Sequence, residues 1–134
     1  NATDDRALLE RLRRFRRMYG GAMRQAGILA AAGMYALEHN VERLAQDHAN
    51  AKRLAELIGK IPCVVVDPTR VVTNILFFDI RTAGRTVPDV VAALKERGVL
   101  ISPVGGTTCR AVTHLDVSAD DIERAGTIFE RVLA

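Results

Sequence analysis

A chain of 134 residues, 49% apolar and 26% charged, has the size of one ordinary domain and enough apolar material for one sizeable core. Its net charge of +3 is local: six arginines and one glutamate between Arg6 and Arg17 carry +5, which leaves −2 for the rest. These numbers exclude a disordered tail and a uniformly basic domain, and no apolar run is long enough to span a bilayer. The two cysteines, Cys63 and Cys109, lie far apart without a CxxC, and the three histidines form no HxxxH pair. Two buried free thiols and no metal site are therefore expected.

Asn1-Ala2, a start without methionine, reads as the scar of a cleaved tag. Nothing after it resembles a secretory signal, so a cytoplasmic protein is expected. The first helix is expected over Asp4–Tyr19, where Leu8, Leu12, Phe15 and Tyr19 form one stripe and arginines fill the other faces. Gly20-Gly21 then breaks or bends it. Ala22–Glu38 is alanine-rich and apolar at helical spacing, and its stretch Ala26–Leu37 reads as a buried helix. Asn40 is the expected N-cap of a third helix, Val41–Gly59. In that helix Val41, Leu44, Ala45, His48, Ala51, Ala55 and Ile58 face inward, and Arg43, Gln46, Asp47, Asn50 and Arg53 face outward.

The pattern then turns to strands. Cys63–Val66 is β-branched and bounded by Pro62 and Asp67-Pro68. Val71–Ile80 alternates, with Thr73, Ile75, Phe77 and Asp79 on one face and Leu76, Phe78 and Ile80 on the other. A helix opens at Thr86 and stops at Gly98. Val99–Ile101 is a short strand, Pro103–Thr107 a turn-rich loop and Cys109–His114 a further strand. The last helix starts after Ser118, with Ile122, Ala125, Ile128, Phe129 and Val132 inward. Hairpin-paired strands with helices on one face give a two-layer α+β domain with a short, mainly antiparallel sheet. Residues 1–21 read as an interdomain helix and Gly-rich bend, and residues 22–134 as the domain proper.

No nucleotide-binding loop or nucleophile elbow is present. Lys52, Lys60 and Lys95 occupy polar helix positions or a helix end, whereas a Schiff-base lysine needs a desolvated pocket. Two segments stand out: Arg17-Met18-Tyr19-Gly20-Gly21-Ala22-Met23-Arg24-Gln25-Ala26-Gly27, and Arg110-Ala111-Val112-Thr113-His114-Leu115-Asp116-Val117-Ser118. Together with Asp47-His48-Ala49-Asn50-Ala51 they resemble the low-specificity threonine aldolases of the aromatic-amino-acid β-eliminating lyase group, over the chain from about Arg14 to its end. This sequence has Ala22 where a third glycine is usual in that group, and Arg17 where lysine is common.

The resemblance implies the C-terminal small domain of a fold-type-I pyridoxal-phosphate enzyme, a lyase that cleaves threonine to glycine and acetaldehyde. It implies a missing N-terminal large domain that holds the cofactor and its lysine, no catalytic residue in this chain, no cofactor bound to this chain alone, and no activity of the chain alone. By motif match, Arg110 is the substrate-binding residue that holds the amino acid's carboxylate, since a planar fork of donors binds a carboxylate through two parallel bonds. From spacing alone, Arg110 reads rather as a solvent-facing strand residue in an ion pair. Arg17 and Arg24 match cofactor-adjacent basic positions, with surface ion pairs as the alternative. His114 is a structural hydrogen-bonding residue or a proton shuttle.

Two other functions compete. The Arg6–Arg17 helix could make a free-standing nucleic-acid-binding module, although its apolar stripe points to a packed helix and no base-stacking platform is visible. The exposed first two helices could drive self-association, and a homo-oligomer is expected. Neither nucleic acid nor membrane is expected as a partner.

Overall fold

The computed structural model describes residues 3–82 and 84–133, so the Asn1-Ala2 tag reading lies outside the described residues. Contacts divide the chain into two compact units, Asn1–Val41 and Glu42–Ala134. The boundary by contacts falls after the second helix.

The first unit holds α1 (Arg6–Met18) and α2 (Gly27–His39). Asp5 caps α1 by accepting from the Leu8 amide, and Arg16 and Arg17 in its last turn suit the negative end of the helix dipole. Gly20 takes a left-handed φ of +75°, and the Gly20 and Gly21 amides donate back to Arg17 and Arg16. Gln25 also has a positive φ, 54°, in the turn that leads to α2. The burial expected for Ala26–Leu37 is not found. Every residue of α2 is exposed, including Ile28 at 85% and Leu37 at 73%. A helix that is apolar on all sides needs cover on all sides.

The second unit is the α+β layer pair. Its elements are α3 (Leu44–Ile58), β1 (Val64–Val65), a short 3-10 turn at Pro68–Arg70, β2 (Ile75–Ile80), α4 (Val87–Glu96), β3 (Ser102–Gly105), β4 (Thr108–Val112) and α5 (Ala119–Leu133). The strands lie in the order β1-β2-β4-β3, and every neighbouring pair is antiparallel. Strand alternation sends Leu76, Phe78 and Ile80 of β2 and Cys109 and Ala111 of β4 into one core with α3, α4 and α5. Phe129 of α5 is wholly buried and meets Phe78 edge to face at 5.7 Å. α5 lies close on α3 at Gly126, where an added Cβ would come within 2.8 Å of the Leu57 side chain.

Local details differ from the sequence expectations in four places. Pro103–Gly105, expected within the loop Pro103–Thr107, belong to the strand Ser102–Gly105, and Val99–Ile101 is not a strand. The Val99 amide is drawn back to the Leu94 carbonyl to close α4. Asn40 does not cap α3, which starts at Leu44 after Arg43. The inward face of α3 is Asp47, Asn50, Ala51, Leu54, Ala55 and Ile58, while Leu44 and Ala45 are exposed. Two polar residues are thus buried where solvent was expected, because tertiary partners satisfy them (below). Of the two thiols, Cys109 is buried and Cys63 only half-buried.

Both later helix starts follow the expectation. Thr86 and Asp89 exchange side-chain-to-backbone hydrogen bonds, and Ser118 and Asp121 do the same. The threonine and serine partners hold the carboxyls of Asp89 and Asp121 below the usual aspartate range, and Arg53 does the same for Glu123.

Two predictions follow from this packing and capping. Phe129→Ala should cost about 3–5 kcal/mol in urea unfolding, whereas Phe77→Ala, on the open sheet face, should stay within about 0.5 kcal/mol. Carboxyls with lowered folded-state pKa values contribute stability above their unfolded values, and that contribution is lost as pH falls through the folded ones. Melting temperature should therefore fall below about pH 4, and less steeply in Ser118→Ala, which frees Asp121.

Candidate functional site

β4 turns Cys109 and Ala111 inward, and so Arg110 points to the uncovered face of the sheet, where it is exposed. Its cross-strand partners are Phe77 on β2 and Ser102 on β3. The nearest carboxylate along β2 on that face is Asp79. Its Oδ1 accepts from the Thr108 hydroxyl at 2.7 Å and from that of Thr107 at 3.3 Å. Among the described residues Arg110 joins no ion pair and no side-chain hydrogen bond. Its fork of donors is left free, unlike that of Arg43 or Arg53. A groove of about 500 Å³ runs along the same face, bounded by Val65, Arg70, Ile75, Phe77 and Asp79.

A buried polar tie holds the far end of this strand. The Thr113 hydroxyl donates to the Asp47 carbonyl at 2.6 Å, and Asn74 and Thr113 exchange two bonds, at 2.8 and 3.0 Å. Asn50 donates to the Val117 carbonyl at 3.1 Å. The Asp47 carboxylate, 3% exposed as a residue, takes a bidentate pair from Arg43 at 2.8 and 3.0 Å. Among the described residues no buried side-chain nitrogen or oxygen lacks a partner. The tie joins α3 to β2 and to the segment just after β4, three residues from Arg110, and so fixes the register that aims it. Helical periodicity assigned Asp47 and Asn50 to solvent. The signal that could have found them is the Asp-x-x-Asn spacing together with a threonine after the arginine strand.

The other candidates stand elsewhere. Arg17, in the last turn of α1, and Arg24, in the turn before α2, flank the diglycine bend in the first unit. Both are exposed, and neither joins an ion pair among the described residues. Arg110 belongs to the second unit. His114 is exposed and local in its bonding: its Nδ1 accepts from the Asp116 amide at 3.3 Å. Lys52, Lys60 and Lys95 are all exposed, so none offers the desolvated amine that would bond an aldehyde cofactor. Among the described residues no group of three histidine, cysteine or acidic side chains converges on a metal-sized point, and no helix is long and apolar enough to cross a membrane.

The second unit is thus an α+β layer pair with Arg110 exposed on its uncovered sheet face, and comparison places the chain in a family. Residues 3–83 match the model of the beta-eliminating lyases, and the chain belongs to that family. It is 42% identical to the low specificity L-threonine aldolase of Escherichia coli O157:H7 over 132 residues, 97% of this chain and 37% of that protein. It is 30% identical to low-specificity L-threonine aldolase 1 of Arabidopsis thaliana over 128 residues, 95% of this chain and 36% of that protein. The chain thus spans little more than a third of the curated relatives it matches. The solved structure of MppP soaked with the product 2-ketoarginine shares the fold, with a TM-score of 0.56 and 17% identity over 73% of this chain and 30% of that one.

The buried tie is testable. Thr113→Val removes the hydroxyl's bond to the Asp47 carbonyl, which lies within α3, so it should cost about 0.5–1.5 kcal/mol in urea unfolding.

Proposed function

We propose that the chain is the C-terminal small domain of a larger pyridoxal-phosphate-dependent lyase that cleaves β-hydroxy-α-amino acids, threonine to glycine and acetaldehyde, and that Arg110 holds the substrate carboxylate. The observation that carries this reading is the free guanidinium of Arg110 on an uncovered sheet face, in a chain of this family. Its two parallel donors match a carboxylate, and a fixed carboxylate orients the bond to be broken. Breaking that bond is the cofactor's chemistry, and the exposed lysines here leave the cofactor's attachment to the absent segment.

The unmatched share of the relatives and the bare apolar residues of α1 and α2 support a preceding large domain as partner. Residues 1–21 then act as the interdomain helix and bend, and residues 22–134 as the small domain, with α2 covered from outside this chain. Arg17 and Arg24, exposed beside the bend, would balance phosphate or carboxylate charge near the cofactor. The unpaired thiols suit a reducing, cytoplasmic setting. The separate chain would be inactive and would self-associate through its bare apolar helices.

In the full-length protein, Arg110→Ala should raise the KM for threonine about 100-fold, the loss of two charge-assisted bonds, with Arg110→Lys between it and the parent. An unchanged KM would overturn the assignment. Specific turnover by the 134-residue chain mixed with pyridoxal phosphate would overturn the view that the chemistry lies elsewhere.

A further inference from the structure

The surroundings of Arg110 lack the side chain that stability alone would select. The position directly opposite an arginine on an antiparallel strand favours a carboxylate, yet Phe77 stands there, 55% exposed, while the adjacent Phe78 fills the core. The opposite position on the other side is Ser102, short and uncharged. The diagonal neighbours on β2 are Ile75 and Asp79. Asp79 is the one acid of the four flanking positions, and two threonine hydroxyls already hold it. The groove's other charged residues are Arg70, of the same sign as Arg110, and Asp67, whose Oδ1 accepts from the amide and hydroxyl of Thr69.

We infer that Phe77 is a positioning residue for Arg110. Directly opposed side chains on one face have Cβ atoms roughly 4.5–5.5 Å apart. An aromatic side chain there gives the arginine stem an apolar surface to lie along. It offers no acceptor with which the guanidinium could pair. The exposed ring adds little to the stability of the fold. It keeps the cation from being neutralised from within the sheet and so available to an incoming carboxylate. This inference rests on the carboxylate-holding role proposed for Arg110.

The test compares Phe77→Glu with Phe77→Gln in the full-length protein. The two side chains have nearly the same shape, and only the glutamate supplies an internal counter-ion. Phe77→Glu should raise both the KM for threonine and the calorimetric Kd for glycine about 10-fold over Phe77→Gln, the equivalent of one ion pair worth about 1.4 kcal/mol. Its kcat should change far less, and Phe77→Tyr should stay near the parent. In the Arg110→Ala background the glutamate should add no further loss. Should Phe77→Glu not accumulate, Phe77→Asp against Phe77→Asn makes the same comparison. Equal KM and Kd in the charged and neutral variants would overturn the inference while leaving Arg110 in its role. Insensitivity of Arg110→Ala itself would overturn the role and the inference with it.

Discussion

The strand period of two in β2 and β4 is the constraint on which the open face depends. Leu76, Phe78 and Ile80 can reach Phe129 and Ile58 only if Ile75, Phe77 and Asp79 turn away, and Cys109 and Ala111 impose the same division on Arg110. A slip of one residue in either strand would bury the guanidinium and expose the core. The position of Arg110 is therefore secured by hydrophobic burial on the opposite side of the sheet, where each large side chain contributes about 1.5–3 kcal/mol.

Register along the strands needs a second device, since apolar packing tolerates sliding better than hydrogen bonds do. The Asn74–Thr113 exchange and the Thr113 bond to Asp47 supply it, with Asn50 tied to Val117 beside them. Burying a carboxylate at Asp47 is costly unless it is paired, and the bidentate bond from Arg43 meets that condition. α3 thus carries two kinds of contact on one stripe. Its C-terminal half packs through Leu54, Ala55 and Ile58, and its N-terminal half is a polar anchor for the arginine strand.

The first unit follows a different logic. α1 is amphipathic and α2 is apolar around its whole circumference, yet neither buries a residue within this chain. Ile28, Leu37 and Tyr19 stand at 73–85% exposure, the bare apolar surface that the proposed large domain would cover. The family match over residues 3–83 and the third-length coverage of the threonine aldolases agree with that description.

Capping and periodicity were legible from the residues alone: the Thr86–Asp89 and Ser118–Asp121 boxes, the stop at Gly98, the faces of β2 and the α+β class all rest on local chemistry within a few positions. Arg110 could be named only through a resemblance, because strand spacing cannot tell a free guanidinium from a paired one. Three features depended on tertiary structure. β3 forms at Ser102–Gly105 because β4 offers it an edge, although Pro103 and Gly105 read locally as a turn. Asp47 and Asn50 are buried because Thr113, Val117 and Arg43 meet them from other segments or from the turn before the helix. Among the described residues Arg110 is unpaired, with Phe77 opposite it and with Asp79 accepting from Thr107 and Thr108. The sequence by itself determined which residues could form helices, strands and caps. Only the folded chain decided which polar groups found partners, since most of those partners lie dozens of positions away and meet when the sheet closes on its helices.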